Sequence, residues 1–168
     1  MKYRIATNTD KTRFGFDVAV TVDYTDLVAL GAGNTGSINI IPNETGAVNG
    51  ATTPVTTNQL ASGQRVKLEW AVITTPFTFS DAGIVSSAVV VGDAGSSNRY
   101  LASLETSTNG GAVANYISIG TGTMYPFNAA GYVIAAFTGT AAKNLNTATA
   151  GSMTFYFKVE DLTQVPTP

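Results

Sequence analysis

The chain contains neither cysteine nor histidine. Without thiols there are no disulfides and no thiolate nucleophile. Without imidazole, the ordinary zinc ligand sets and the Ser-His-Asp or Cys-His catalytic devices are excluded. Charge is scarce as well: 12% of the residues are Asp, Glu, Lys or Arg, where about 25% is usual for a globular domain. So thin a charged coat protects poorly against association, which points to a surface partly covered by a partner. Long apolar runs are missing too. No stretch approaches the ~20 residues of a membrane helix. The basic start Met1-Lys2-Tyr3-Arg4 lacks the apolar run of about 7–15 residues that a secretory signal carries. The expectation is a soluble protein made in the cytoplasm. Finally, no segment sustains a 3.6-residue apolar stripe; Lys143–Asn146 offers one helical turn at most.

What charge there is lies unevenly. The net charge is −2, too small for a field that would draw the whole chain to nucleic acid or to a membrane. Lys2, Arg4, Lys11 and Arg13 are four of the nine basic residues, with Asp10 the one acid among them, so residues 1–13 carry +3 and the remainder −5. From Phe14 through Gln64 there is no Lys or Arg. A basic segment ahead of an acidic body reads as an arm that docks on an acidic neighbour; the plainer explanation is a solvated chain end.

The chain length of 168 residues suits one domain. The main pattern is alternation. Phe14, Phe16, Val18, Val20, Val22 and Tyr24 occupy the even positions, and Gly15, Asp17, Ala19, Thr21 and Asp23 the odd ones. Successive strand side chains point to opposite faces, so this is a half-buried strand with Asp17 and Asp23 in water. The same period places Val66, Leu68, Trp70 and Val72 inward against Arg65, Lys67 and Glu69, and Met153, Phe155, Phe157 and Val159 inward against Thr154, Tyr156, Lys158 and Glu160. On this reading Trp70 is a core residue, not a sugar platform. Tyr156, on the opposite face from the phenylalanines, is a contact residue or a cross-strand partner.

Ser37–Ile41, Ile84–Val91, Arg99–Leu104, Ala112–Ile119 and Tyr132–Thr138 are β-branched or aromatic runs bounded by Gly, Asn or Pro, and Phe77–Phe79 suggests a short edge strand behind Pro76. The sum is an all-β, two-sheet antiparallel sandwich of the jelly-roll type with about eight strands. Pro42–Ser62 and Gly139–Ser152 read as long, nearly uncharged loops, and loops of that kind are contact surfaces or disordered. The Pro-rich tail at 163–168 should be extended. The three wet-faced strands and the nearly charge-free remainder predict an asymmetric sandwich, with one sheet solvated and the neutral strands and loops meeting neighbours.

Motifs for chemistry are weak. Gly31-Ala32-Gly33-Asn34-Thr35-Gly36 matches G-x-G-x-x-G, yet Ser37-Ile38-Asn39-Ile40-Ile41-Pro42 follows where a dinucleotide site needs a helix. These are turn glycines, and no cofactor is expected. Asp93-Ala94-Gly95-Ser96-Ser97-Asn98 lacks the EF-hand spacing and reads as a tight turn between strands, not a metal site. Asn43-Glu44-Thr45 fits a glycosylation pattern by accident in a chain without a signal. A carboxylate pair for glycosidase chemistry has no support in the spacing of the eleven acids. No catalytic residue is assigned, and the chain is expected not to be an enzyme.

Several segments in their order carry a resemblance: Tyr24-Thr25-Asp26-Leu27 after a strand, Thr75-Pro76-Phe77, Val89-Val90-Val91-Gly92-Asp93-Ala94-Gly95, Arg99-Tyr100-Leu101-Ala102, and Thr149-Ala150-Gly151-Ser152-Met153-Thr154-Phe155-Tyr156-Phe157. Together they resemble the small jelly-roll structural proteins of tailed-bacteriophage virions, of the head decoration or cement type. The resemblance covers residues 14–162 and leaves the basic arm, 1–13, outside it. It implies a non-enzymatic part of the capsid surface, made in the host cytoplasm, that binds the major capsid protein as a symmetric homo-oligomer, with a trimer favoured by analogy. It carries over no functional residue. The residues expected to bind the partner are Lys2, Arg4, Lys11 and Arg13 in the arm, and Asn43, Thr52, Thr53, Thr56 and Asn58 in the first long loop. The alternative is a carbohydrate- or receptor-binding module of a head fibre or tail, which requires exposed aromatics at one end of the sandwich. Tyr100, Tyr116, Tyr125 and Tyr156 are its candidates.

Overall fold

The computed structural model describes residues 1–7, 11, 15–40, 60–108 and 117–161. Its elements are β1 (Lys2–Ile5), β2 (Val18–Asp23), the short helix α1 (Tyr24–Ala29), β3 (Thr35–Ile40), β4 (Gln64–Phe79), β5 (Ser86–Asp93), β6 (Ser96–Thr108), β7 (Ile117–Ile119), β8 (Tyr125–Pro126), β9 (Val133–Gly139), a 3₁₀ turn (Leu145–Thr147) and β10 (Ala148–Asp161). One sheet has the order β1-β2-β10-β4-β7, with β8 also on β4; the other has the order β3-β9-β5-β6. Every pairing is antiparallel. The chain shuttles between sheets, so that β2, β10, β4 and β7 face β3, β9, β5 and β6. That is the jelly roll expected from the strand count, extended by β1 and β8.

The inner faces form one core. Val18, Val20 and Val22 from β2, Met153, Phe155 and Phe157 from β10, and Val66, Leu68 and Ile73 from β4 pack with Val89, Val91, Leu101, Leu104, Val133, Ala135 and Phe137 of the opposite sheet. The three strands with clean alternation are neighbours in one sheet, and the neutral strands make up the other. Period-two patterning thus reported sheet membership as well as strand position.

Alternation fails where the ladder is irregular. Tyr156 lies opposite Trp70 and Phe157 opposite Leu68, which leaves Glu69 as an extra residue on β4. A bulge of this kind shifts every later side chain to the other face. Ala71 and Ile73 therefore point inward, and Trp70, expected in the core, lies half-buried on the outer face. There it meets Tyr156 at 5.7 Å and Phe16 at 6.3 Å between ring centroids. Tyr156 is its cross-strand partner.

Four further expectations change. The strand expected over Phe14–Tyr24 begins at Val18 and stops at Asp23, because Asp23 and Asp26 form a capping box that opens α1. Asp17 is buried, not solvated: its Oδ2 accepts a hydrogen bond from the Val159 amide at 2.8 Å. Phe77–Phe79 is no separate edge strand but the end of β4, paired with Ala148–Ala150. Gly139–Ser152 is correspondingly not one loop, since β10 begins at Ala148. Most of the first long loop, 41–59, lies outside the described residues, as do 8–10, 12–14, 109–116 and 162–168.

The end of β4 packs closely on β10. A Cβ added to Gly151 would stand 2.3 Å from Phe77 Cδ1 and 2.7 Å from its Cα, and φ at Gly151 is +136°. Gly122, at φ +79°, faces open space. Gly151→Ala is therefore expected to lose about 2–4 kcal/mol from strain and overpacking together, against about 1–2 kcal/mol for Gly122→Ala. Urea unfolding of the two variants checks this; equal losses would show that Phe77 moves aside freely.

Candidate functional site

The N-terminal segment is built into the fold. Lys2 to Ile5 run antiparallel to Thr21 to Val18 as the edge strand β1, so these residues are part of the sheet. Of the expected partner-binding side chains, Arg4 places its guanidinium 5.4 Å from the centroid of Phe16, a cation–π contact. Lys11 lies 3.6 Å from Asp17 Oδ1. Lys2 is opposite Thr21 on the edge. Arg13, Asn43, Thr52, Thr53, Thr56 and Asn58 fall outside the described residues.

Asp17 holds this region together. Its amide donates to Phe157 O at 2.7 Å, its carbonyl accepts from Ala6 N at 2.8 Å, and its carboxylate takes the Val159 amide. These bonds lay Phe16 over the outer face of the six-stranded sheet, 4.8 Å from Tyr156. Arg4 and Lys11 thus serve contacts within the chain, with Phe16 and Asp17, that no local pattern announced.

At the other end of the sandwich, the β5–β6 turn is organised by one carboxylate. Asp93 Oδ1 accepts from the amides of Gly95 and Ser96 at 2.8 and 3.1 Å, and its Oδ2 accepts from Arg99 Nη1 at 2.8 Å and the Tyr100 hydroxyl at 2.9 Å. Arg99 lies over the Tyr125 ring at 4.9 Å, and Tyr100 meets Tyr125 edge-on at 5.7 Å. Four donors occupy the carboxylate, so it anchors a two-residue turn, the tight turn read from the sequence. The Asp-x-Gly spacing signals the turn; Arg99 and Tyr100 were not legible as its partners, since β6 is bulged beside it. Among the described residues, no group of three or more acids gathers where it could hold a metal ion.

A cleft of roughly 260 Å³ adjoins this turn, between Asp93–Arg99 and the backbone of Pro126–Tyr132. A second hollow, roughly 310 Å³, lies between Thr21, Asp23, Thr75 and Ser152. Of the tyrosines proposed for glycan contact, Tyr100 is fully buried, Tyr125 is half-buried beneath Arg99, and Tyr156 lies half-buried on the outer face of the six-stranded sheet. Tyr116 lies outside the described residues.

The outer face of the four-stranded sheet is poor in charge. Thr35, Ser37 and Asn39 of β3 lie opposite Thr138, Ala136 and Ile134 of β9, which in turn lie opposite Ala88, Val90 and Gly92 of β5. Ala102 and Ser103 of β6 are exposed beyond them. Glu105, opposite Ala88, is the one charged residue in this register, and it accepts a hydrogen bond from the Ser87 amide. The six-stranded sheet, in contrast, carries the pairs Arg65–Glu160 at 2.8 Å and Lys67–Glu69 at 3.0 Å. No protein-family model, curated protein or solved structure matches the chain.

Burial, and then the hydrogen bond to Asp93, push the Tyr100 phenol well above its ordinary value. The folded state therefore holds this proton more tightly than the unfolded state. Its stabilisation is complete below about pH 10 and is lost as pH rises beyond the unfolded value. Thermal melts from pH 7 to 11 should fall less steeply above pH 10 for Tyr100→Phe than for the wild type. The variant should lose about 1 kcal/mol at neutral pH through its missing hydrogen bond. Parallel alkaline limbs would assign the alkaline loss to other groups.

Proposed function

We propose that the protein is a non-enzymatic structural component of a tailed-phage virion, a capsid decoration or cement protein that binds the lattice of the major capsid protein. The observation that carries this reading is the charge-poor outer face of the four-stranded sheet, where Ser, Thr and Asn side chains offer hydrogen bonds without a strong field and Ala, Val and Ile lie between them. Burying such a surface avoids the several kcal/mol that desolvating each charge costs. A sandwich is also a stiff plate, so many weak copies on a lattice add up through multivalency. The resemblance of residues 14–162 to head decoration proteins agrees in kind. β1, which carries Lys2 and Arg4, is an edge strand of the opposite sheet, where an acidic neighbour would meet it.

Mass spectrometry and cryo-electron microscopy of the particle test the reading. High copy number over the head is the expected result. A few copies at a tail or fibre would replace it with the receptor- or glycan-binding alternative, and absence from particles would overturn both. Within the head, Thr138→Lys and Ala102→Lys, both at exposed positions of the neutral face, should lower capsid affinity by about tenfold or more with little change in melting temperature. Lys158→Glu on the other sheet should not. Equal effects from the two faces would move the contact elsewhere.

A further inference from the structure

We propose that the protein pairs with a second copy of itself through the edge of β3 that is unpaired among the described residues, antiparallel about a twofold axis at Ser37. The two four-stranded sheets would then run on as one sheet of eight strands. This goes beyond the virion reading and stands or falls without it.

The edges of the two sheets differ in how they guard against such pairing. Exposed strand edges are templates for another chain, and proteins blunt them with charge, bulges or brevity. β1 carries Lys2 and Arg4. β7 and β8 have three and two residues. β6 is out of regular register with β5 at three places and bears Arg99 and Glu105. β3 has none of these devices: its six residues, Thr-Gly-Ser-Ile-Asn-Ile, are uncharged, and its register with β9 is unbroken. Among the described residues it pairs on one side alone.

The same strand is complementary to itself. Directly opposed residues of an antiparallel pair share a face. An axis at Ser37 sets Ser37 against Ser37 and Thr35 against Asn39 on the outer face, all three exposed and all able to hydrogen-bond across the strands. On the inner face it sets Gly36 against Ile38; Leu30 of the same chain already packs over Gly36, and Ile38 is buried in its own core, so neither side chain obstructs the pairing of the two backbones. Moving the axis to Ile38 would bring two Ile38 side chains together. No like charges meet, whereas two β1 edges would oppose Lys and Arg. A ladder of five residues is roughly 17 Å long, which is a small contact. The expected dimer is therefore weak in solution and strengthened where neighbours are held in place. It departs from the trimer that the resemblance implies.

The absence of cysteine makes the test clean. Ser37→Cys introduces a single thiol that meets its own copy across the axis, and Ser103→Cys introduces one at an equally exposed position on β6. Under mild oxidation at micromolar protein, Ser37→Cys should form a disulfide-linked dimer at least about tenfold faster than Ser103→Cys. Melting temperatures before oxidation establish that both variants fold. Sedimentation equilibrium of the unmodified protein, up to about millimolar, should show monomer and dimer, and Ser37→Lys should shift the balance to monomer. Equal cross-linking rates, a wild type that is solely monomeric throughout that range, or a trimer would each overturn the proposal.

Discussion

Strand β10 is hydrogen-bonded on both sides, to β2 and to β4, and the register of the six-stranded sheet follows from it. Met153, Phe155 and Phe157 point from it into the core and are fully buried. Burial of such side chains is worth about 1.5–3 kcal/mol each, so a one-residue slip that turned all three to solvent would forfeit an amount comparable to the whole stability of about 5–15 kcal/mol typical of a domain. Once β10 is placed, β2 and β4 have no freedom of register. The outer residues Thr154, Tyr156 and Lys158 are then fixed beside Thr21, Trp70 and Lys67.

That constraint explains why the outer faces differ. Where the ladder is regular, a strand with a sheet behind it alternates, and the residues that alternate with phenylalanine in β10, and with valine in β2 and β4, are where charge can be placed at little cost. Arg65, Glu160, Lys67 and Glu69 use those positions. In the opposite sheet, β9 and β5 carry Ala136 and Val90 on the outer side, only partly buried. Among the described residues, sparse charge is therefore a property of one face.

Much of this was legible beforehand, for a physical reason: period-two patterning reports a buried face wherever the ladder is regular. β2, β10 and the first half of β4 were readable in that way, and the eight-strand count pointed to the jelly roll. What escaped depends on ladder irregularity or on contacts distant in sequence. Glu69 looks like any outward residue of a strand, yet as a bulge it turns Trp70 out of the core. Asp17 fits a solvated position until Val159 is brought beside it across 142 residues. α1 was hidden because six residues are too few for a stripe, and Asp23 with Asp26 was its one local sign. In the candidate site, Arg4 and Lys11 stood out as charges in a charge-poor chain, but their ring and carboxylate partners, Phe16 and Asp17, become their neighbours only in the folded chain. The neutral sheet was readable strand by strand; its continuity as a surface was not, since adjacency of β3, β9 and β5 is a property of the fold.

The contrast between bulged and regular strands also bears on how this molecule meets others. A bulge is stabilising only if its extra residue finds a use. Glu69 O accepts from Gly120 N at 3.1 Å, beside the short edge strand β7, and the extra residues of β6 twist a long edge away from a regular pairing geometry. β4 and β6 are thereby closed to orderly extension, one because it is central and the other because it is bent. β3 keeps an unbroken register with β9, whose outer residues are Ile134, Ala136 and Thr138. The regular edge and the neutral face are thus parts of the same sheet, and a partner that lengthens that sheet through β3 also enlarges the surface on which further neighbours can be seated.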